Sequence, residues 1–490
     1  MRLIARDFVL VTGSRAVDGA VRFLTVPLVL AYFGRADFGL IALAFSMQAF
    51  LAVADFGFSM NAIRRLSGLL KDQDYAQVDA LARAAAFFYA CVGSVNLVLL
   101  LVVGWYGAAW FELSPHHAEQ FFWMMAALGL SSAVGWAFSI HRQILQAAGL
   151  VGWDEAINLG GTLAMLLATW ATLQFEFSPA VYFALVLLPA WIPIMLRARK
   201  VVRVVPRLRI GFVADWQRFK PLVGTSLWLF VLMAGELIAN HVRPLMLARE
   251  AGLEQVAEFR VLQQIAGFAL LLLSGVMSVV YPTIARLDAA NAQARIDAVL
   301  TVGSRLLLWG HIGLLVTMAF LSELILRAYV GAEFVHLAPA LAIWLVSLVA
   351  YHNSILSSLV IARGSLAPIT IGAVVNALAS LVLLQLLAAE HGVFAAVWAY
   401  TTYLGVQLAV MYLIAAPMAG AGSGLRLASR VLTVPLASGL VCASVAVLVV
   451  SSGGQSWWYG ALIFAPTFLL CAVTYGGVSR DWVALRTRPA

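Results

Sequence analysis

The sequence predicts an all-α, polytopic membrane protein of about 14 transmembrane helices. These helices form two six-helix lobes related by a pseudo-two-fold axis along the membrane normal, plus two C-terminal helices. Three observations predict this. First, 63% of the residues are hydrophobic and only 11% are charged, where a soluble chain would carry roughly 25%. Second, apolar runs of about 20 residues, each able to cross a hydrocarbon layer of roughly 30 Å, fill nearly the whole chain. A β-barrel would show shorter alternating segments, and these runs are continuous. Third, Val21-Arg22-Phe23-Leu24 returns 221 positions later as Val242-Arg243-Pro244-Leu245. The same shift carries Ala36-Asp37-Phe38 onto Ala257-Glu258-Phe259, and Arg65-Leu66 onto Arg286-Leu287. Several matches in one register read as two copies of one helical unit.

Spans are expected at residues 8–33, 38–61, 82–110, 120–145, 149–173 and 178–197, giving a first lobe over 1–198. Arg2 and Arg6 precede the first span without a small-residue cleavage site after it, so it reads as a retained helix. A basic cytoplasmic linker follows at 199–221; eight Lys and Arg lie between Arg197 and Lys220. That density suits the positive-inside rule and contact with anionic headgroups. The pattern resumes at 222–248, 258–283, 299–328, 337–362, 366–389 and 392–417, a second lobe over 222–418. A last pair at 430–452 and 456–477, with a tail, completes 419–490. Gly34, Pro115, Pro179, Gly331, Gly364 and Gly392 punctuate the spans.

Placing the N-terminus in the cytoplasm leaves only Arg35, Arg249, Arg260 and Arg327 outside. Inner segments hold most of the rest, among them Arg64, Arg65, Lys71, Arg83, Arg142, Arg363, Arg426 and Arg430. Both termini are therefore expected in the cytoplasm. Cys91, Cys442 and Cys471 sit in apolar runs, with no disulfide framework or metal-ligand spacing. No phosphate-binding glycine loop with a lysine is present, so hydrolysis-driven transport would need another subunit. Metal ions and nucleic acid have no evident partner residues.

Arg15, Asp18 and Arg22 fall at i, i+3 and i+7 on one face of the first span. Glu236, Asn240 and Arg243 share a face of the seventh, with His241 beside them. An arginine in hydrocarbon costs a few kcal/mol and faces a watery cavity or a partner. Its planar fork donates bidentate hydrogen bonds to phosphate and keeps its charge. Two matched clusters thus predict a basic cavity between the lobes, suited to an anion such as a pyrophosphate. Internal ion pairs that fix helix packing are the alternative. Asp18 and Glu236 either neutralise the arginines or carry a coupling proton or sodium ion. Asp55, before Arg64-Arg65, reads as a gate or as a helix-end charge pair. Arg260 either lines the outer mouth or snorkels to the interface.

The residues Pro27, Tyr32-Phe33-Gly34, Asp37-Phe38-Gly39, Ala54-Asp55-Phe56-Gly57-Phe58 and Arg64-Arg65 carry a family resemblance. Val256-Ala257-Glu258-Phe259, Pro282, Tyr329-Val330-Gly331-Ala332-Glu333-Phe334 and Gly392-Val393-Phe394-Ala395-Ala396 continue it. In pattern and order, residues 8–417 resemble the multidrug/oligosaccharidyl-lipid/polysaccharide flippase superfamily, in its polysaccharide-biosynthesis branch. The resemblance implies alternating access between six-helix lobes in the bacterial cytoplasmic membrane. It implies a polyprenyl-pyrophosphate-linked oligosaccharide as substrate, membrane lipids around it, and a polysaccharide polymerase and chain-length regulator as neighbours. A monomer is the family expectation.

Three other classes stand beside it. An ion-coupled exporter of cationic drugs belongs to the same superfamily and would use Asp18, but two flanking arginines would repel a cation. A membrane enzyme, such as a repeat-unit polymerase, would need outer loops longer than these. A non-transporting scaffold would pack its lobes without a cavity.

Overall fold

The computed structural model describes residues 2–51, 58–205, 208–209, 211–215, 237, 241–274, 280, 284, 287–288, 290–363, 366–453 and 456–474. Among them the chain is helical, with no strand. Ten helices are long and apolar enough to cross a membrane, or eleven if the bent pair Pro115–Ala137 and Ser139–Ala147 is one span. The Trp458–Thr474 helix is shorter and apolar. The expected count of 14 is therefore approximate, and two expectations account for most of the difference. The span at 8–33 and residues 38–51 of the next one lie in one helical stretch, Arg2–Leu51, broken at Gly34 (φ 78°, ψ 179°); residues 52–57 lie outside the described residues, and 58–61 begin the Phe58–Lys71 helix. Such a φ is open to glycine and strained for other residues. The seventh span, 222–248, lies mostly outside the described residues, as does much of the 199–221 linker, which begins inside the Trp191–Val204 helix.

The chain divides into two compact units, Met1–Arg260 and Val261–Ala490. In the first, local sequence sets the helix starts. Asp74 caps Tyr75–Trp110 by accepting from the Gln77 amide. Ser114 and Ser178 cap Pro115–Ala137 and Pro179–Leu187, each with proline in the first turn, where its missing N–H costs nothing. The Tyr75–Trp110 and Pro115–Ala137 helices pack at backbone distance. A Cβ on Gly93 would lie 2.8 Å from the Ala133 carbonyl oxygen, and one on Gly129 3.2 Å from the Leu97 Cα. Lipid tails are as apolar as leucine, so close packing through small residues is what holds such a pair together. Gly93→Val is expected to overpack this seam by about 1–3 kcal/mol and lower the melting temperature in detergent. An unchanged melting curve would mean that the helices can part at no cost.

One end of this unit has its own apolar core. Phe58, Leu66, Leu81, Tyr89, Ile144 and Val201 bring four helices together there. Residues 208–209 and 211–215 fold back onto that end, where Asp79 accepts the Arg209 amide at 2.6 Å and pairs with Arg83 at 2.9 Å.

In the second unit, the Ser304–Phe320 helix is central. Its Trp309 lies 4.9 Å from Phe468, and its Phe320 lies 5.9 Å from Phe464. The last helix pair, Gly424–Gly453 and Trp458–Thr474, is thus packed into this unit's core. Arg363 closes one end of it. Its Nε donates to Asp288 at 2.9 Å, and its terminal nitrogens donate to Gln293 and to the Ala419 carbonyl.

Candidate functional site

The Arg15, Asp18 and Arg22 cluster lies in the first unit, against the Val151–Phe175 helix. Arg22 Nε donates to Asp18 Oδ2 at 2.9 Å. The second carboxylate oxygen, Oδ1, accepts the Thr162 hydroxyl at 2.7 Å. Asp18 therefore has both oxygens engaged, one by its own helix and one by the neighbouring helix. Arg22 remains 55% exposed along its side chain. Its two terminal nitrogens donate no hydrogen bond to the described residues. A guanidinium held by Nε alone keeps the two-pronged edge that matches a phosphate available. Arg15 is exposed, and its nearest acid is Glu155 at 3.9 Å. At that distance and exposure the pair adds little stability and leaves the cation open to solvent.

Behind these residues the Val151–Phe175 helix carries a polar ladder that the sequence reading did not single out. Asn158 donates to Glu155 at 3.2 Å, and its side-chain oxygen accepts from an Arg197 terminal nitrogen. Asp154 has no exposed surface. It accepts Arg197 Nε at 2.6 Å on one oxygen, with Arg142 Nε and Gln146 both at 3.1 Å on the other. Charge compensation from two guanidiniums is what lets a carboxylate sit at such a site. One signal was available: Asp154, Glu155, Asn158 and Thr162 fall on one helical face of an otherwise apolar span. Arg142 and Arg197, read only as topology markers, are the acid's partners.

The remaining expected site residues fare differently. Arg243 lies in the helical stretch 241–250 and is 1% exposed. Arg260 is half-buried on the Leu253–Ser274 helix, within Coulombic range of His241. Glu236 and Asn240, beside Arg243 in sequence, and Asp55 lie outside the described residues. Near Gly34 two further pairs form: Arg35 with Glu258 at 3.7 Å, and Asp37 with His117 at 3.0 Å. Among the described residues no cluster of histidine, cysteine and acidic side chains could hold a metal ion.

A family model described as "Polysaccharide biosynthesis protein" matches residues 4–288, more than half of the chain. The chain belongs to the polysaccharide biosynthesis protein family. Comparison with curated protein sequences gave no match. Among solved structures, this polysaccharide biosynthesis family member is similar to the lipid II flippase MurJ in an inward closed conformation. The identity is 13% and the TM-score 0.73, over 96% of this chain and 100% of that one. It is also similar to an inward-facing multidrug resistance MATE transporter of the MOP superfamily. Here the identity is 12% and the TM-score 0.62, with 86% and 94% covered. The Vibrio cholerae MATE transporter VcmN in its bent form matches at 14% identity and TM-score 0.52, with 88% and 98% covered. At these identities the likeness concerns the fold. The family member is thus a multi-pass helical membrane protein with the MOP-superfamily transporter fold expected from its sequence.

Proposed function

We propose that this protein is a flippase for a polyprenyl-pyrophosphate-linked oligosaccharide. It moves that lipid from the inner to the outer leaflet of the bacterial cytoplasmic membrane by alternating access, for cell-surface polysaccharide synthesis. The observation that carries this reading is Arg22, anchored through Nε to Asp18 while its terminal nitrogens donate no hydrogen bond to the described residues. The pyrophosphate head binds Arg22 together with Arg15 and Arg243, with Asn240 and Arg260 as further polar contacts. Asp18 and Glu236 balance the arginines or carry a coupling proton or sodium ion, and Asp55 serves as a gate. The protein acts as a transporter and not an enzyme, with both termini in the cytoplasm. A polymerase and a chain-length regulator would take up the delivered repeat unit.

The second reading is an ion-coupled exporter of organic cations, favoured by the likeness to MATE transporters. Asp18 would be its acid, yet both Asp18 oxygens are engaged, by Thr162 and by an arginine. A cation would have to displace that arginine, which like-charge repulsion opposes.

The deciding experiment measures transbilayer movement of a polyprenyl-pyrophosphate oligosaccharide in proteoliposomes, beside export of a cationic dye. Movement of the lipid without dye export is the expected result. Dye export without lipid movement would transfer the protein to the exporter class.

A further inference from the structure

We propose that Thr162 is a positioning residue that holds the Arg22 fork open for an anion. This rests on the reading of Arg22 as an anion-binding residue. Asp18 and Arg22 are one helical turn apart, and such a pair can meet in two ways. A carboxylate that offers both oxygens closes onto an arginine fork in a bidentate pair, satisfying the edge a phosphate would use. A carboxylate anchored through one oxygen on a neighbouring helix is fixed in its rotation, and here that orientation presents only the other oxygen to the guanidinium. The Thr162 hydroxyl commits Oδ1 at 2.7 Å, and Oδ2 meets Arg22 at Nε, the nitrogen nearest the chain.

Thr162 is placed to do this without loss to itself. It is 8% exposed on the Val151–Phe175 helix. Its hydroxyl also lies 3.5 Å from the Asn158 carbonyl, one turn back on its own helix. A threonine hydroxyl has a single proton to donate, so it serves one acceptor at a time. It therefore has a second acceptor to turn to whenever Asp18 moves away. The Asn158 side chain is tied to Glu155 and Arg197, which fixes the turn that presents Thr162. A valine would keep the shape of the side chain and lose the commitment of Oδ1. Asp18 would then be free to close on Arg22.

The test is calorimetric binding of inorganic pyrophosphate to the purified full-length protein. Thr162→Val is expected to weaken binding about tenfold, the scale of one hydrogen bond to a charged group. Thr162→Ser, which keeps the hydroxyl, restores affinity. In an Asp18→Ala background, Thr162→Val has no further effect, because nothing is left to close on Arg22. Unchanged affinity in Thr162→Val, or an equal loss with Asp18 already removed, overturns the proposal. Arg22→Gln separates the two levels of the argument. If it leaves pyrophosphate binding intact, the anion-site reading itself fails. If it abolishes binding while Thr162→Val does not weaken it, only the role of Thr162 fails.

Discussion

Asp154→Ala is expected to destabilise the first unit by about 3–5 kcal/mol, the cost of breaking a buried ion pair from one side. The carboxylate is fully buried and holds Arg142 and Arg197 on separate oxygens. Arg197 is only 12% exposed, so removing the acid leaves its charge desolvated with no counter-charge at that point. Arg142 is 49% exposed and recovers water, so it contributes less to the loss. Asp154→Asn keeps the shape and some hydrogen bonds but not the charge, and should fall between wild type and alanine. Thermal unfolding in detergent reads all three. Coincident curves for wild type and alanine would mean that water already screens the arginines and that the ladder is not a stability element.

The second large effect concerns transport. Arg22→Gln is expected to lower the initial rate of lipid movement by at least about 100-fold. Two charge-assisted hydrogen bonds to a phosphate contribute roughly 1.5–3 kcal/mol each, and a tenfold change corresponds to about 1.4 kcal/mol. Stability should barely change, because the Arg22–Asp18 pair is an exposed one on a single helix. Arg22→Lys is the informative control. It keeps the charge and loses the planar fork, so it should recover part of the rate and not all of it. Full activity with lysine would show that charge alone is used, and full activity with glutamine would remove Arg22 from the site.

Much of this protein can be read from its residues alone. Helical spans follow from runs of apolar residues, and Arg15, Asp18 and Arg22 follow from their spacing, because both signals are local. The partners of those residues do not. Thr162 lies 144 positions from Asp18, and Arg197 lies 43 from Asp154. Each is one polar side chain in an apolar helix, and nothing local says which neighbouring helix it meets. Arg142 shows the limit well. The positive-inside count treats it as a charge near a membrane surface, whereas its fold-specific role is to complete a buried acid. The 221-residue shift expected from the sequence would carry it onto Arg363. That arginine also clasps an acid, Asp288, though on different elements.

The Gly93 and Gly129 contacts carry a mechanical consequence. Where two helices touch backbone to backbone, neither can slide along the other without driving a side chain into a main chain. The Tyr75–Trp110 and Pro115–Ala137 helices must therefore travel as one stiff strut in any motion of this unit. Flexure then falls to places where the helical path is already interrupted. Among the described residues of this unit, Gly34 and the 41° bend between Ala137 and Ser139 are two such places. A cross-link across the strut should leave turnover intact, and one that splints the bend should arrest it.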